Sequence, residues 1–88
     1  MIELRLYTRQ GCHLCDEMKL AIERAAAPFD VRLEIVDIDL DSELVRHYNE
    51  DVPVLFVNGR KFAKHRLDET RLRAKLVRET EQSARGVG

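Results

Sequence analysis

The sequence contains two cysteines three residues apart, and thiols at this spacing can take part in chemistry. They enclose the segment Cys12-His13-Leu14-Cys15 and are the only cysteines of the chain. Residues 2–7 before them alternate apolar and polar as a half-buried strand does, and residues 16–27 after them have a helical pattern. The first turn of a helix carries free backbone N–H groups and a partial positive charge, which stabilise a thiolate. Because the thiolate is the form that attacks disulfides, the pattern indicates thiol–disulfide chemistry.

Other uses of the same spacing stay open. A structural zinc site needs about four ligands, and only His13, His47 and His65 could add nitrogen ligands to the two thiols. Two of these histidines fall on separate predicted elements, so we expect no metal site within one chain; a cluster shared across a dimer, or an inert thiol pair, is the alternative. His13 either influences the neighbouring thiolate as a cation or is a solvated loop residue.

Length and composition narrow the class of protein. The chain has 88 residues, 44% of them hydrophobic and 35% charged, with a formal net charge of −1. We expect one domain over residues 1–82 and a flexible tail over residues 83–88. The balanced charge argues against nucleic acid as a partner, and no apolar run approaches the roughly 20 residues of a membrane span. We see no signal-peptide pattern and expect a cytoplasmic protein, in which paired thiols are catalytic more often than structural.

The remaining sequence predicts alternating strands and helices. Asn58-Gly59 is a strong hairpin signal, because both residues tolerate positive φ. A strand–helix–strand unit makes the first two strands parallel, and the hairpin makes the last two antiparallel, so an α/β fold with a four-stranded mixed sheet and helices on both faces follows. Strands are predicted at residues 2–7, 31–39, 52–57 and 60–63, and helices at residues 13–27, after the cap candidates Asp39 and Asp41, and after the cap Asp68.

With this order of elements, the chain resembles the thioredoxin fold and, most closely, the glutaredoxins. The matching segments are residues 6–15, 51–53 and 56–59, and the Gly-Cys-His-Leu-Cys start is similar to that of small bacterial glutaredoxin-like proteins. The resemblance implies the strand order 2-1-3-4 and the topology β-α-β-α-β-β-α.

The resemblance also implies roles for individual residues. Cys12 aligns with the exposed nucleophile and Cys15 with the buried resolving thiol. Pro53 aligns with a cis-proline beside the active site, and Val52 with the residue whose backbone meets the substrate. Arg9 stands where glutaredoxins often carry a lysine near the thiolate. The expected catalytic pair is therefore Cys12 and Cys15, and the expected substrate-binding residues are Arg9, His13, Val52 and Pro53.

Several positions depart from the glutaredoxin pattern. His13-Leu14 replaces the usual Pro-Tyr or Pro-Phe, and Ala63-Lys64 replaces a pair of glycines after the last strand. The aspartates that hold the amine of glutathione are out of register, since Asp68 lies just beyond that point. We therefore expect glutathione to act at most as a weakly bound co-substrate.

These observations predict a monomeric cytoplasmic thiol–disulfide oxidoreductase without a prosthetic group. Its substrates would be protein disulfides or glutathione mixed disulfides. The alternative is a redox-inactive binding module of the same fold, which docks a partner at the edge formed by Val52 and Pro53.

Overall fold

The computed structural model describes residues 1–85, with the side chains of residues 1–82. Its elements are β1 (Ile2–Thr8), α1 (His13–Ala26), β2 (Val31–Asp37), a 3₁₀ turn (Ile38–Leu40), α2 (Ser42–Tyr48), β3 (Val54–Val57), β4 (Arg60–Lys64) and α3 (Glu69–Arg85). The strands form one sheet in the order β2-β1-β3-β4. Element order and strand order are those predicted from the sequence.

The sheet is mixed, as expected. β1 runs parallel to β2, with Leu4 opposite Leu33, and antiparallel to β3, with Leu6 opposite Leu55. The β3–β4 hairpin turns through Asn58 at φ +48 and Gly59 at φ +83, which confirms the hairpin predicted at this pair.

One face of the sheet carries the hydrophobic core. Because side chains alternate along a strand, the buried residues of β1 all point to the same side, where α1 and α3 pack. Helix α1 turns Met18, Ile22 and Ala25 into this core, whereas Leu14 is only partly buried. Residues buried in this core include Ile2, Leu4, Leu6, Met18, Ile22, Ala25, Leu55, Val57, Leu72 and Leu76.

The opposite face is covered at one end, by α2. Tyr48 at the end of this helix stacks on Tyr7 of β1, with the ring centroids 4.6 Å apart and the planes at 16°. None of the residues of α2 is fully buried. The prediction of helices on both faces is therefore confirmed, but α2 lies on the sheet through a few partly buried side chains.

Some boundaries differ from those predicted. The second strand ends at Asp37 and not at Asp39, because the Asp37 carboxylate accepts the backbone N–H of Asp39 at 2.9 Å and starts the 3₁₀ turn. The third strand begins at Val54, since Pro53 has no N–H to donate to a neighbouring strand. The last strand extends by one residue, to Lys64.

Capping explains where the later helices begin. The Asp41 carboxylate accepts the N–H of Glu43 at 2.9 Å and is the N-cap of α2. The Asp68 carboxylate accepts the N–H groups of Thr70 and Arg71, as expected for the cap of α3. Helix α3 includes residues 83–85 of the tail expected from the sequence, and residues 86–88 lie outside the described residues. In the described part of the chain, no helix has the length and apolarity to cross a membrane.

Candidate active site

Cys12 and Cys15 lie at the junction between β1 and α1. The chain turns there through Gly11, whose φ of +72 is a conformation that few other residues adopt. Cys12 is the N-cap residue of α1 with an extended backbone, φ −102 and ψ 107. The two cysteines form a disulfide, with their Cα atoms 5.2 Å apart. The pair is therefore held by the first turn of the helix, as the sequence predicts.

The two sulfurs differ in exposure and in electrostatic environment. Cys15 is 3% exposed and belongs to the buried side of α1, whereas Cys12 is partly exposed. The backbone N–H of Cys15 donates to Sγ of Cys12 at 3.1 Å. A helix N-terminus and a directed N–H group both favour negative charge on this sulfur once the disulfide is reduced. The geometry therefore distinguishes an accessible thiol, Cys12, from a covered one, Cys15.

Arg9 has a different environment from the one expected. Its guanidinium donates to both carboxylate oxygens of Asp39, at 2.6 and 3.3 Å, and to the side-chain oxygen of Asn49 at 2.8 Å. The hydrogen bond from Arg9 holds the pKa of the Asp39 carboxyl below its ordinary value. Arg9 therefore ties the loop before Cys12 to the 3₁₀ turn and to the end of α2, and its charge is already paired with a carboxylate.

The Val52–Pro53 peptide bond is cis, as the resemblance implies. Pro53 directly precedes Val54, which pairs with Tyr7 near the end of β1, so this proline lies at the same end of the sheet as the loop that leads to Cys12. Pro53 is buried, and Val52 is partly buried and donates its N–H to the carbonyl oxygen of Tyr48 at 3.2 Å. A substrate backbone at Val52 would therefore meet chiefly its carbonyl group.

His65 holds the loop before Pro53 from the hairpin side. Its backbone N–H donates to the carbonyl oxygen of Pro53 at 2.8 Å, and its ring Nε2 donates to the carbonyl oxygen of Glu50 at 2.8 Å. Next to it, Nζ of Lys64 lies 3.6 Å from a carboxylate oxygen of Asp51. The sequence gives no signal for this role of His65.

The conformation of His65 is also unusual. Its φ is +68, in the left-handed region that favours glycine. The glycine pair of the resembling family was placed at Ala63-Lys64, and in the structure those two residues continue β4. The turn that needs positive φ comes one residue later, at His65.

Three aromatic rings lie against this end of the sheet. Tyr48 stacks on Tyr7, and Phe56 meets the edge of both rings at centroid distances of 6.2 and 5.5 Å. Burial raises the pKa of Tyr48. Because Tyr48 also accepts the N–H of Val52 through its carbonyl oxygen, this cluster connects the sheet to the loop that carries Pro53. The sequence pattern did not predict that these three rings meet.

His13, His47 and His65 lie on different parts of the fold, in α1, in α2 and after β4. His13 is the first residue of α1 and is exposed, so it lies within reach of a partner that approaches Cys12. His47 is exposed on α2. Within residues 1–85, no group of three or more His, Cys, Asp or Glu side chains is arranged to hold a metal ion.

Comparison with known proteins identifies relatives across most of the chain. A family model described as "Glutaredoxin-like domain (DUF836)" matches residues 3–77. A glutaredoxin-like protein of Dictyostelium discoideum is 37% identical over 78 residues, which are 81% of this chain and 71% of that protein.

Solved structures have the same fold. A protein of Nitrosomonas europaea superposes with a TM-score of 0.73 at 35% identity, over 85% of this chain and 91% of the other. A protein of X. campestris gives a TM-score of 0.69 at 40% identity, over 83% of this chain and 93% of the other. The oxidised form of mitochondrial thioredoxin 3 from Saccharomyces cerevisiae gives 0.63 over 85% and 76%, and its 16% identity supports the fold alone.

Proposed function

The chain belongs to the glutaredoxin-like domain family, and from this membership we propose that it is a thiol–disulfide oxidoreductase that uses Cys12 and Cys15 to reduce disulfides. The observation that carries the proposal is the asymmetry of the pair. Cys12 is a partly exposed sulfur at a helix N-terminus, and Cys15 is a buried sulfur one helical turn away and within disulfide distance. This arrangement suits a nucleophile and a resolving thiol.

The reaction proceeds in two exchanges. In the dithiol state, the Cys12 thiolate attacks one sulfur of a substrate disulfide, and the other substrate sulfur leaves as a thiolate and takes up a proton. The Cys15 thiol then loses its proton and attacks Cys12 in the mixed disulfide, which releases the second substrate thiol. The substrate disulfide gains two electrons and two protons, and the chain is left with the Cys12–Cys15 disulfide. A dithiol or a pair of monothiols must then return it to the reduced state.

Protein disulfides fit the surroundings of the pair better than glutathione does. Arg9 and Lys64 are cations that could attract the carboxylates of glutathione, and each already lies beside a carboxylate of this chain, Asp39 and Asp51 respectively. A substrate strand would instead approach the carbonyl of Val52, with His13 at the rim. We include in the proposal a cytoplasmic setting, where thiols are kept reduced, and no prosthetic group.

Reduction of insulin by dithiothreitol, with and without this chain, tests the proposal. We expect the chain to accelerate reduction and the Cys12→Ser variant to lose the acceleration. A His47→Ala variant, changed at an exposed residue of α2, is the matched control and should keep the wild-type rate. If reduced wild-type chain gives no acceleration, the alternative of a redox-inactive module that binds at Val52 and Pro53 is favoured.

A further inference from the structure

The two edges of the sheet differ in how they are protected against pairing with another strand. β4 forms one edge, and it carries Arg60, Lys61 and Lys64 and an extra residue, Phe62, where its pairing with β3 shifts register. Bulges and lysines are features that keep an edge strand from pairing. β2 forms the other edge, and its register with β1 is continuous from Val31 to Asp37, with no proline. Of the two edges, only β4 therefore has a bulge and lysines, whereas the exposed charged residues of β2, Arg32 and Glu34, are of opposite sign.

The backbone of β2 presents a regular row of hydrogen-bonding groups outward. The carbonyl of Asp30 accepts the N–H of Ile2, so it points towards β1. The N–H and C=O groups of successive strand residues point alternately to the two neighbouring strands. Those of Arg32 and Glu34 therefore also point towards β1. The backbone N–H and C=O groups that point away from β1 are therefore those of Val31, Leu33 and Ile35.

The side chains of β2 are complementary to themselves when the strand is reversed. In an antiparallel pair centred on Leu33, Val31 lies opposite Ile35, and Arg32 lies opposite Glu34. The first pair is apolar and on the core side of the sheet, where Ile35 is 44% exposed. Arg32 and Glu34, the second pair, carry opposite charges and lie on the face of the sheet away from the core. Because the backbone groups of Leu33 point outward, this register also matches donors to acceptors.

We propose that a second copy of this chain pairs with the β2 edge, antiparallel and centred on Leu33. Leu33 would exchange both backbone hydrogen bonds with the partner's Leu33, and Val31 would do so with the partner's Ile35. Arg5 donates to one carboxylate oxygen of Glu34 at 2.6 Å, so the other oxygen can accept from the partner's Arg32. The two sheets join into one. This dimer differs from the monomer expected from the sequence, and it does not depend on the redox chemistry of Cys12.

Charge-exchange variants test the pairing. Arg32→Glu places two acidic side chains at positions 32 and 34, and Glu34→Arg places two basic ones there. Each variant alone meets like charges across the edge, whereas an equimolar mixture restores opposite charges at both positions. Sedimentation velocity of the full chain over a wide concentration range measures the association. Thermal unfolding of each variant at low concentration shows whether it is folded.

We expect the wild-type chain to sediment increasingly as a dimer with concentration. Each single variant should raise the dissociation constant by about tenfold, and mixing the two should recover the wild-type value. Hydrogen exchange provides a second measurement, because the outward N–H groups of Val31, Leu33 and Ile35 should be protected only at high concentration. A wild-type chain that stays monomeric throughout, or single variants that associate as well as the mixture does, would overturn the proposal. A chain that stays monomeric would instead favour pairing of the β2 edge with an extended segment of another protein.

Discussion

His65 and Pro53 are joined by a hydrogen bond from the backbone N–H of the histidine to the carbonyl oxygen of the proline, 2.8 Å long. The same histidine donates from its ring to the carbonyl of Glu50, also at 2.8 Å. The turn after β4 thus holds both ends of the loop that leads into β3. To make these bonds, His65 adopts a φ of +68. One residue therefore combines an unfavourable backbone conformation with contacts that fix the position of the cis-proline loop.

This combination predicts different effects for two substitutions of His65. His65→Gly loses the ring hydrogen bond, about 1 kcal/mol, but removes the cost of positive φ, so its stability should stay close to that of the wild type. His65→Val loses the bond and keeps a side chain that disfavours positive φ, which costs roughly 1–2 kcal/mol more. Urea unfolding measures both free energies. Equal destabilisation by valine and glycine would show that the backbone at position 65 is not held at positive φ.

A second prediction concerns the attachment of α2 to the sheet. None of its residues is fully buried, and Tyr48 makes its aromatic stacking contact with Tyr7. Tyr48→Leu should lower the free energy of unfolding by about 1 kcal/mol through loss of the ring contacts, and Tyr48→Phe by much less. Hydrogen exchange of the Leu variant should show faster opening of α2, with α1 unchanged. If α1 and α2 opened together, α2 would not open separately from the core.

Acid should weaken the ion pair between Arg9 and Asp39. The hydrogen bond from Arg9 lowers the pKa of Asp39 below its ordinary value, about 3.9 in an unfolded chain. A carboxyl whose pKa is lower in the folded state stabilises the fold above the unfolded pKa, and this contribution disappears as pH falls through the folded pKa. Asp39→Asn should therefore flatten the loss of stability below about pH 4, without changing its slope between about pH 6 and 8.

Urea unfolding at a series of pH values measures this effect. Glu69 provides a comparison, because the hydrogen bond from Arg24 lowers its pKa in the same way. Glu69→Gln should also flatten the loss of stability at acid pH. The effects of the two substitutions should add, because the Arg9–Asp39 and Arg24–Glu69 pairs share no residue. An unchanged acid limb in both variants would mean that these exposed pairs contribute nothing measurable.

Local signals in the sequence predicted the framework of the site. The thiol spacing at a strand-to-helix junction, the Asn58-Gly59 hairpin and the cap Asp68 are each decided within a few residues, and the structure confirms all three. The predicted end of β2 was wrong by two residues, because the Asp37 carboxylate competes with the strand for the N–H of Asp39.

Contacts between distant segments could not be predicted in this way. Nothing near Arg9 in the sequence shows that Asp39 pairs with it, and an unpaired cation near the thiolate was an equally reasonable expectation. The stacking of Tyr7 on Tyr48 depends on where α2 lies on the sheet. The positive φ of His65 follows from the bonds that its turn makes with Glu50 and Pro53, which no short-range pattern encodes.

Unequal reactivity of the two thiols is the next expectation. In the reduced chain, Cys12 should be alkylated at least about tenfold faster than Cys15, because it is more exposed and lies beside helix N–H groups that stabilise its thiolate. A brief iodoacetamide pulse followed by peptide mass spectrometry measures the two rates. Cys15→Ser should accumulate a mixed disulfide on Cys12 with a substrate protein, and Cys12→Ser should accumulate none. Equal labelling, or trapping through Cys15, would contradict the assigned roles.

The last prediction concerns glutathione. Ala63 and Lys64, which align with two glycines of the resembling family, continue β4; Ala63 packs against the hydrophobic core, and Lys64 adds a long exposed side chain. Lys64 lies beside Asp51, and Arg9 is paired with Asp39, so neither cation is unopposed. We therefore expect the reduced chain to act on a protein disulfide at least as fast as on a glutathionylated peptide. We also expect free glutathione to reduce its own Cys12–Cys15 disulfide slowly.

Rates measured with both substrates under one reductant, dithiothreitol, make the comparison direct. A strong preference of the wild-type chain for the glutathionylated peptide would falsify the expectation. It would mean that the pairing of Arg9 and Lys64 with carboxylates of the chain gives way when glutathione binds.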